Sequence, residues 1–228
     1  MLKILRDYTC PVCGSTQHEI LFARDFRSLR QIVPFEGYDI CCCKICGMVY
    51  AGNIAEGVPT EEYYQIMSKY ETRRYVTETI MTRYNWVTDF MRKYLDTSKS
   101  VLEIGCASGE QLYSMKKAGF QQLCGIDASR VNVNYAAEQY GLETHVGYLG
   151  SSIPAIAGRK FDVLILEAIL EHILPLRSAI ADAVDYLKDD GYCFVIVPDL
   201  GSFPEEDNLY QEFSIEHINY WLFGSLHG

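Results

Sequence analysis

The sequence predicts an α/β fold, a doubly wound parallel sheet preceded by a small cysteine-rich module. Three observations point there. From residue 100 onward, short apolar strand-like runs alternate with helical stretches, a pattern that gives a parallel sheet with helices on both faces. Six of the nine cysteines lie in the first 46 residues, and four of them form two matched turns. The composition, 49% hydrophobic and 22% charged over 228 residues, is that of a globular chain and excludes disordered or fibrous classes. A chain this long buries roughly 70% of its unfolded surface and needs no disulfide staples. Its length suggests one full domain and a smaller unit.

The smaller unit is residues 1–58. It contains Cys10-Pro-Val-Cys13-Gly and Cys43-Lys-Ile-Cys46-Gly. Each C-x-x-C turn brings two thiolates to one side, and the following Gly lets backbone amides face the sulfurs. Two such turns supply four ligands for tetrahedral zinc, at about 2.3 Å per bond. Four protein ligands close the shell, so the metal is structural. Period-2 alternation puts Cys41 on the same strand face as Cys43, which makes Cys41 a competitor ligand, with Cys42 a further surplus thiol. His18 is a fifth possible ligand, although a solvated loop position suits it better. Buried free thiols are the alternative for the whole cluster. Cys106, Cys124 and Cys193 fall singly in apolar strand contexts.

Residues 59–98 form a connecting region. Tyr63, Tyr64, Tyr70, Tyr75 and Tyr84 crowd together, and Val76, Ile80, Tyr84, Val87, Met91 and Tyr94 recur at three- and four-residue steps, which predicts a long amphipathic helix. Residues 99–228 form the core. Strands are expected near 101–105, 122–126, 143–146, 161–167 and 192–197. Helices are expected near 109–118, 129–140, 175–188 and 214–226.

Val101-Leu102-Glu103-Ile104-Gly105-Cys106-Ala107-Ser108-Gly109 reads as a buried strand entering a small-residue turn and then a helix. Small residues let backbone amides approach a ligand at the helix N-terminus. The next strand ends in Asp127, 24 residues after Glu103, where a carboxylate accepts hydrogen bonds from ribose hydroxyls. A nucleoside cofactor is implied. The dinucleotide fingerprint needs G-x-G-x-x-G, but Ala107 and Glu110 occupy its second and third glycine positions. A Glu there meets a pyrophosphate with like charge. S-adenosylmethionine carries no phosphate and escapes that repulsion.

VLEIGCASG, GIDAS, FDVLILEAILEHI and LKDDGYCFVIVP fall in order over about residues 100–198. Together they resemble the successive motifs of class I S-adenosylmethionine-dependent methyltransferases, whose core is Rossmann-like. The resemblance implies that Gly105, Cys106, Ala107 and Gly109 take the methionine part of the cofactor and that Glu103 reaches its amino end. It also implies that Asp127, with Ala128 beside it, takes the ribose. Ala107 stands where that family has Gly. The segment His145 to Leu149 lacks the acid the family places near adenine, so backbone contacts near Tyr148 or Leu149 would replace it. Glu167 ends the fourth strand at the cofactor side. The family core continues into a sixth and seventh strand, so the native chain is expected to run past Gly228.

His172 follows the fourth strand and is either a base or a capping residue. His217, with Glu216 beside it, can take a proton because imidazole titrates near neutral pH. A solvated helix N-terminus is the other reading. The order of zinc turns, tyrosine-rich connection, core and late E-H-x-x-Y resembles a bacterial group acting on nucleotide-linked sugars, glycans and natural-product building blocks. In its sugar C-methyltransferases a Glu-His pair matches Glu216 and His217, and the His is the base. Ser214 stands where a tyrosine precedes that pair, which leaves O- and N-methylation open. Tyr64 and Tyr70 either reach over the cofactor or pack the connection.

The expected activity is methyl transfer to a small-molecule acceptor. The rivals are an RNA methyltransferase with a zinc module and a non-catalytic cofactor-binding protein. The net charge of −10 repels phosphate backbones and anionic lipids, which argues against nucleic acid and membrane as partners. No apolar run reaches 18 residues and the N-terminus has no signal core, so a cytoplasmic location is expected. The oligomeric state is not legible.

Overall fold

The structure, a computed structural model, describes residues 3–28, 33–57, 63, 78–202 and 213–222. The chain divides into two compact units. One comprises Met1–Tyr63, Ala168–Ser178 and Val197–Gly228, the other Tyr64–Glu167 and Ala179–Ile196. Two stretches that the sequence places in the 99–228 core thus group with the cysteine-rich module.

The first unit is an antiparallel sheet of β1 (Ile4–Arg6), β2 (His18–Asp25), β3 (Phe35–Cys43) and β4 (Val49–Glu56), in the order β1-β4-β3-β2. The last strand among the described residues, β10 (Asn219–Tyr220), also pairs with β4, through Asn219↔Tyr50 and Tyr220↔Val49. Phe26, Phe35, Tyr38, Ile40 and Ile54 form its core together with Phe213, Ile218 and Tyr220 from the late segment. This corrects the helix expected near 214–226 over residues 214–222; residues 223–226 lie outside the described residues. Ile218, Asn219, Tyr220 and Trp221 are all buried. A helix on a surface buries one stripe of every turn; four consecutive buried residues fit an extended segment covered on both faces.

The second unit holds a parallel sheet. It is made of β5 (Val101–Ile104), β6 (Leu123–Asp127), β7 (Glu143–Val146), β8 (Phe161–Glu167) and β9 (Leu187–Ile196), in the order β7-β6-β5-β8-β9. All four residues of β5 are buried, as a central strand covered on both faces requires. The strand order reverses across β5 and β8, and ligands in such sheets bind outside the carboxyl ends at that reversal. The helices are α1 (Glu78–Met91), α2 (Glu110–Lys117), α3 (Arg130–Tyr140) and α4 (Leu176–Val184). Val87, Met91, Leu112, Met115 and Phe120 pack with Val101, Val163 and Ile165. The fifth strand starts earlier than expected and the fourth helix stops earlier, because Leu187 already pairs with Phe161 and Tyr186 accepts the Phe161 amide at 2.8 Å.

Candidate functional site

The turn after β5 bends through three left-handed residues, Gly105 (φ 83°), Ala107 (φ 46°) and Gly109 (φ 86°). The amides of Gly105 and Cys106 both donate to the Ile126 carbonyl, at 2.7 and 3.0 Å. The turn is therefore folded over the end of β6. There the Ala107 amide donates to Asp127 Oδ2 at 2.9 Å, while Oδ1 accepts the Ser129 amide at 2.9 Å and Asn132 Nδ2 at 3.3 Å. Gly109 is required twice over: its φ is positive, and a Cβ would lie 2.9 Å from both Ala136 Cβ and Leu142 Cδ1. The Asp127 carbonyl accepts the Gly147 amide at 3.0 Å, which tethers the segment carrying Tyr148. Tyr148 is 43% exposed and Leu149 is buried; Ala128 is half-buried.

Carboxylates crowd the same end of the sheet. Glu103 is 3% exposed, and its Oε2 has no hydrogen-bond partner among the described residues. Burial first, then Glu167, Glu110 and Asp127, raise its carboxyl well above the ordinary range. Burial also raises Glu110 and Glu167, the latter against the opposing pull of Arg83, whose Nη2 lies 2.5 Å from Glu167 Oε1. The Tyr84 hydroxyl is pushed up by burial and by Glu167, Glu110 and Glu103. A buried acid without a partner suits an incoming cation and disfavours a phosphate. An amino-bearing, phosphate-free nucleoside such as S-adenosylmethionine fits this donor set. Arg83 and Tyr84 of α1, and Asn132, take part without having been singled out for this site by the sequence. Their signal, a helix face reaching the strand ends, is visible only once the sheet order is known.

In the first unit the two cysteine turns are near copies. The Gly14 amide donates to the Cys10 carbonyl at 3.0 Å and the Gly47 amide to the Cys43 carbonyl at 2.9 Å; Gly14 and Gly47 have φ 75° and 74°. One sulfur of each of Cys10, Cys13, Cys43 and Cys46 lies within 4.8 Å of the others. Cys10 and Cys46 Sγ are 3.7 Å apart, Cys13 and Cys43 Sγ 3.5 Å. Tetrahedral zinc with 2.3 Å bonds calls for about 3.8 Å between sulfurs, so the four residues fit the ion. The two competitor ligands lie outside this group. The Cys41 thiol approaches the Asp39 carbonyl and is pushed up to about 11 by burial and Asp39. His18 sits in β2, bonded through Nδ1 to the Thr16 carbonyl at 2.8 Å and stacked on Tyr8.

The same unit brings His172 and His217 together. Their rings are 4.9 Å apart at 72°. His172 lies in the short turn Leu170–His172, and its Nδ1 is 3.1 Å from the Glu216 carbonyl oxygen. The Glu216 carboxylate accepts the Tyr63 hydroxyl at 2.7 Å. Glu171, which the sequence reading passed over, is 2% exposed and groups with both histidines. Tyr64 and Tyr70 lie outside the described residues.

A family profile described as a methyltransferase domain matches residues 73–227. The ubiquinone biosynthesis O-methyltransferase of Rickettsia prowazekii is 29% identical over 126 residues, 53% of this chain and 45% of that protein. The protein of the same name from Ruegeria sp. is 32% identical over 94 residues, 40% of this chain and 38% of that protein. The chain spans about half the length of the curated relatives it matches. Among solved structures, the PH0226 protein from Pyrococcus horikoshii gives a TM-score of 0.50 at 22% identity, covering 62% of this chain and 63% of that one. The plantazolicin methyltransferase BpumL, solved in complex with SAH, gives 0.52 at 17% identity, covering 73% and 67%. These likenesses show the class I methyltransferase fold. With the profile covering more than half of the sequence, and with the turn after β5 and the acid at the tip of β6 in place, the chain belongs to the methyltransferase domain family.

Proposed function

We propose that this chain transfers a methyl group from S-adenosylmethionine to a small-molecule acceptor, a sugar nucleotide, glycan or natural-product building block, and that one structural zinc ion holds its N-terminal module. The observation that carries the cofactor reading is the carboxylate set of Glu103, Glu110, Asp127 and Glu167 around a small-residue turn. That set repels a pyrophosphate and receives a cationic amino group. The cofactor, when bound, supplies an electrophilic methyl group. Asp127, already fixed by Ala107 and Ser129, would orient the ribose; Glu103 would hold the amino end; Gly105, Cys106, Ala107 and Gly109 would line the methionine part. Tyr148, Ala128 and Glu167 complete the cofactor set.

Alignment of acceptor, methyl and sulfur supplies much of the rate, and a base is needed where the acceptor atom carries a proton. His217, paired with His172 and flanked by Glu216, is that base. Among the described residues no helix is long and apolar enough to cross a membrane. Calorimetric titration with S-adenosylmethionine, followed by assay for S-adenosylhomocysteine across acceptor pools, tests the activity. NADH binding as tightly as S-adenosylmethionine would overturn the cofactor reading. Tight, steeply salt-dependent RNA binding would overturn the small-molecule acceptor.

A further inference from the structure

In sequence a glutamate stands directly before each histidine, Glu171-His172 and Glu216-His217. The fold gives the two acids different work. The Glu216 carboxylate is turned to Tyr63, accepting its hydroxyl at 2.7 Å. What Glu216 offers the histidines is its backbone carbonyl, 3.1 Å from His172 Nδ1. A carbonyl can only accept, so Nδ1 of neutral His172 carries the proton and Nε2 holds the lone pair. Glu171 is buried, and one carboxylate oxygen lies within 4.8 Å of a ring nitrogen of each histidine.

We propose that Glu171, rather than Glu216, is the carboxylate that positions the His172–His217 pair and stabilises its protonated form. This rests on the reading of that pair as the proton acceptor. A carboxylate within about 4–6 Å favours a charged imidazole, so the pair accepts a proton more readily than two isolated rings would. Glu171 is therefore a positioning residue that acts through the histidines.

The backbone around it is clamped for this purpose. Arg6 is buried and donates through Nη1 to the carbonyls of Ala51 and Ile218 and to Asn219 Oδ1, and through Nη2 to the carbonyls of Leu174 and Ile173. Asn219 Nδ2 donates to the carbonyls of Leu170 and Ile173, each at 2.8 Å. The Ile218 amide donates to the Glu171 carbonyl at 2.8 Å. These bonds fix the Leu170–Leu174 segment against residues 216–219. Other titratable groups facing the pair, among the described residues, include Glu216 with Tyr63, and Tyr220 and Tyr38, whose hydroxyls reach the His217 carbonyl. Arg24 acts on those two tyrosines, and Arg6 reaches the pair's segments through the carbonyls already named.

The test is a histidine titration followed by NMR on the full chain with zinc bound, so no acceptor is needed. His172→Gln and His217→Gln assign the signals. Glu171→Gln should lower the midpoints of both rings by about one pH unit, while Glu216→Gln leaves them where they are. An unchanged midpoint in Glu171→Gln, or an equal drop in Glu216→Gln, overturns the proposal. If Glu171→Gln does not fold, the wild type decides: the Glu171 carboxyl carbon must show an inflection at the histidine midpoint, and its absence overturns the proposal. Failure of the base reading would show elsewhere, as full transfer activity in His217→Gln, whatever the titration reports.

Discussion

Replacing Asp127 separates its two duties. Its Oδ2 accepts the Ala107 amide and its Oδ1 accepts the Ser129 amide and Asn132 Nδ2. Asp127→Ala strands three donors and removes the proposed ribose acceptor at once. Asp127→Asn, with its oxygen placed as Oδ1, keeps the Ser129 and Asn132 bonds and sets an amide group against the Ala107 amide, donor against donor. A lost hydrogen bond to a charged group is worth about 1.5–3 kcal/mol. Net of rearrangement, S-adenosylmethionine affinity should therefore fall by about 1–3 kcal/mol, roughly 5- to 150-fold. The drop should be larger in Asp127→Ala, which should also melt earlier. Isothermal titration with S-adenosylmethionine reads the first effect and thermal unfolding the second. Unchanged affinity in Asp127→Ala, with the fold intact, would remove Asp127 from the site and with it the nucleoside argument.

Three further outcomes are expected. Protein purified without chelator should carry one zinc per chain, and Cys13→Ser should lower that content and destabilise the N-terminal module; metal analysis finding no zinc refutes this. Asp162 accepts the Ser100 amide and hydroxyl and pairs with Lys188, and chiefly the Ser100 hydroxyl holds its carboxyl well below the ordinary range. Its contribution to stability is thus fully present above about pH 4 and lost as pH falls toward the depressed folded value, so Asp162→Asn should flatten the acid end of a stability–pH profile measured by urea unfolding. His217→Ala should slow transfer by about 10²–10⁴-fold with cofactor affinity nearly intact, a result checked by single-turnover rates; full activity would return His217 to a structural role.

What the sequence reveals depends on how local the signal is. The cysteine turns repeat one short pattern, and the backbone bonds that close each turn on itself span five residues or fewer, so spacing alone is enough to read them. The strand expected at 161–167 coincides with β8, because a strand covered on both faces is written as a contiguous apolar run; the one expected at 143–146 coincides with β7, although Glu-Thr-His-Val is mostly polar and nowhere buried. The late segment defeats the same logic. Ser214 to Tyr220 offers helical spacing, but Asn219 and Tyr220 are claimed by β4, a strand from the other end of the chain. No local pattern encodes that pairing. Glu171 was overlooked for a related reason: both acids flank a histidine in sequence, and only the fold shows that Glu216 turns toward Tyr63.

The first unit is assembled from remote stretches, and Arg6 makes that assembly conditional. Arg6 and Ile218 are 212 positions apart. Closing so long a loop is not the main obstacle, since each doubling of loop length adds only about 0.6 kcal/mol. The guanidinium is the stricter demand. Burial lowers its pKa to about 10, so it is still charged at neutral pH, and a buried charge stripped of its partners is strongly destabilising, by about 3–5 kcal/mol. Its acceptors come from β4, from Ile173 and Leu174, and from Ile218 and Asn219. They satisfy it only when all three stretches are in place. Docking of the late segment on the cysteine sheet is for that reason an all-or-none event, and the histidine pair takes its geometry from the sheet on which that segment docks.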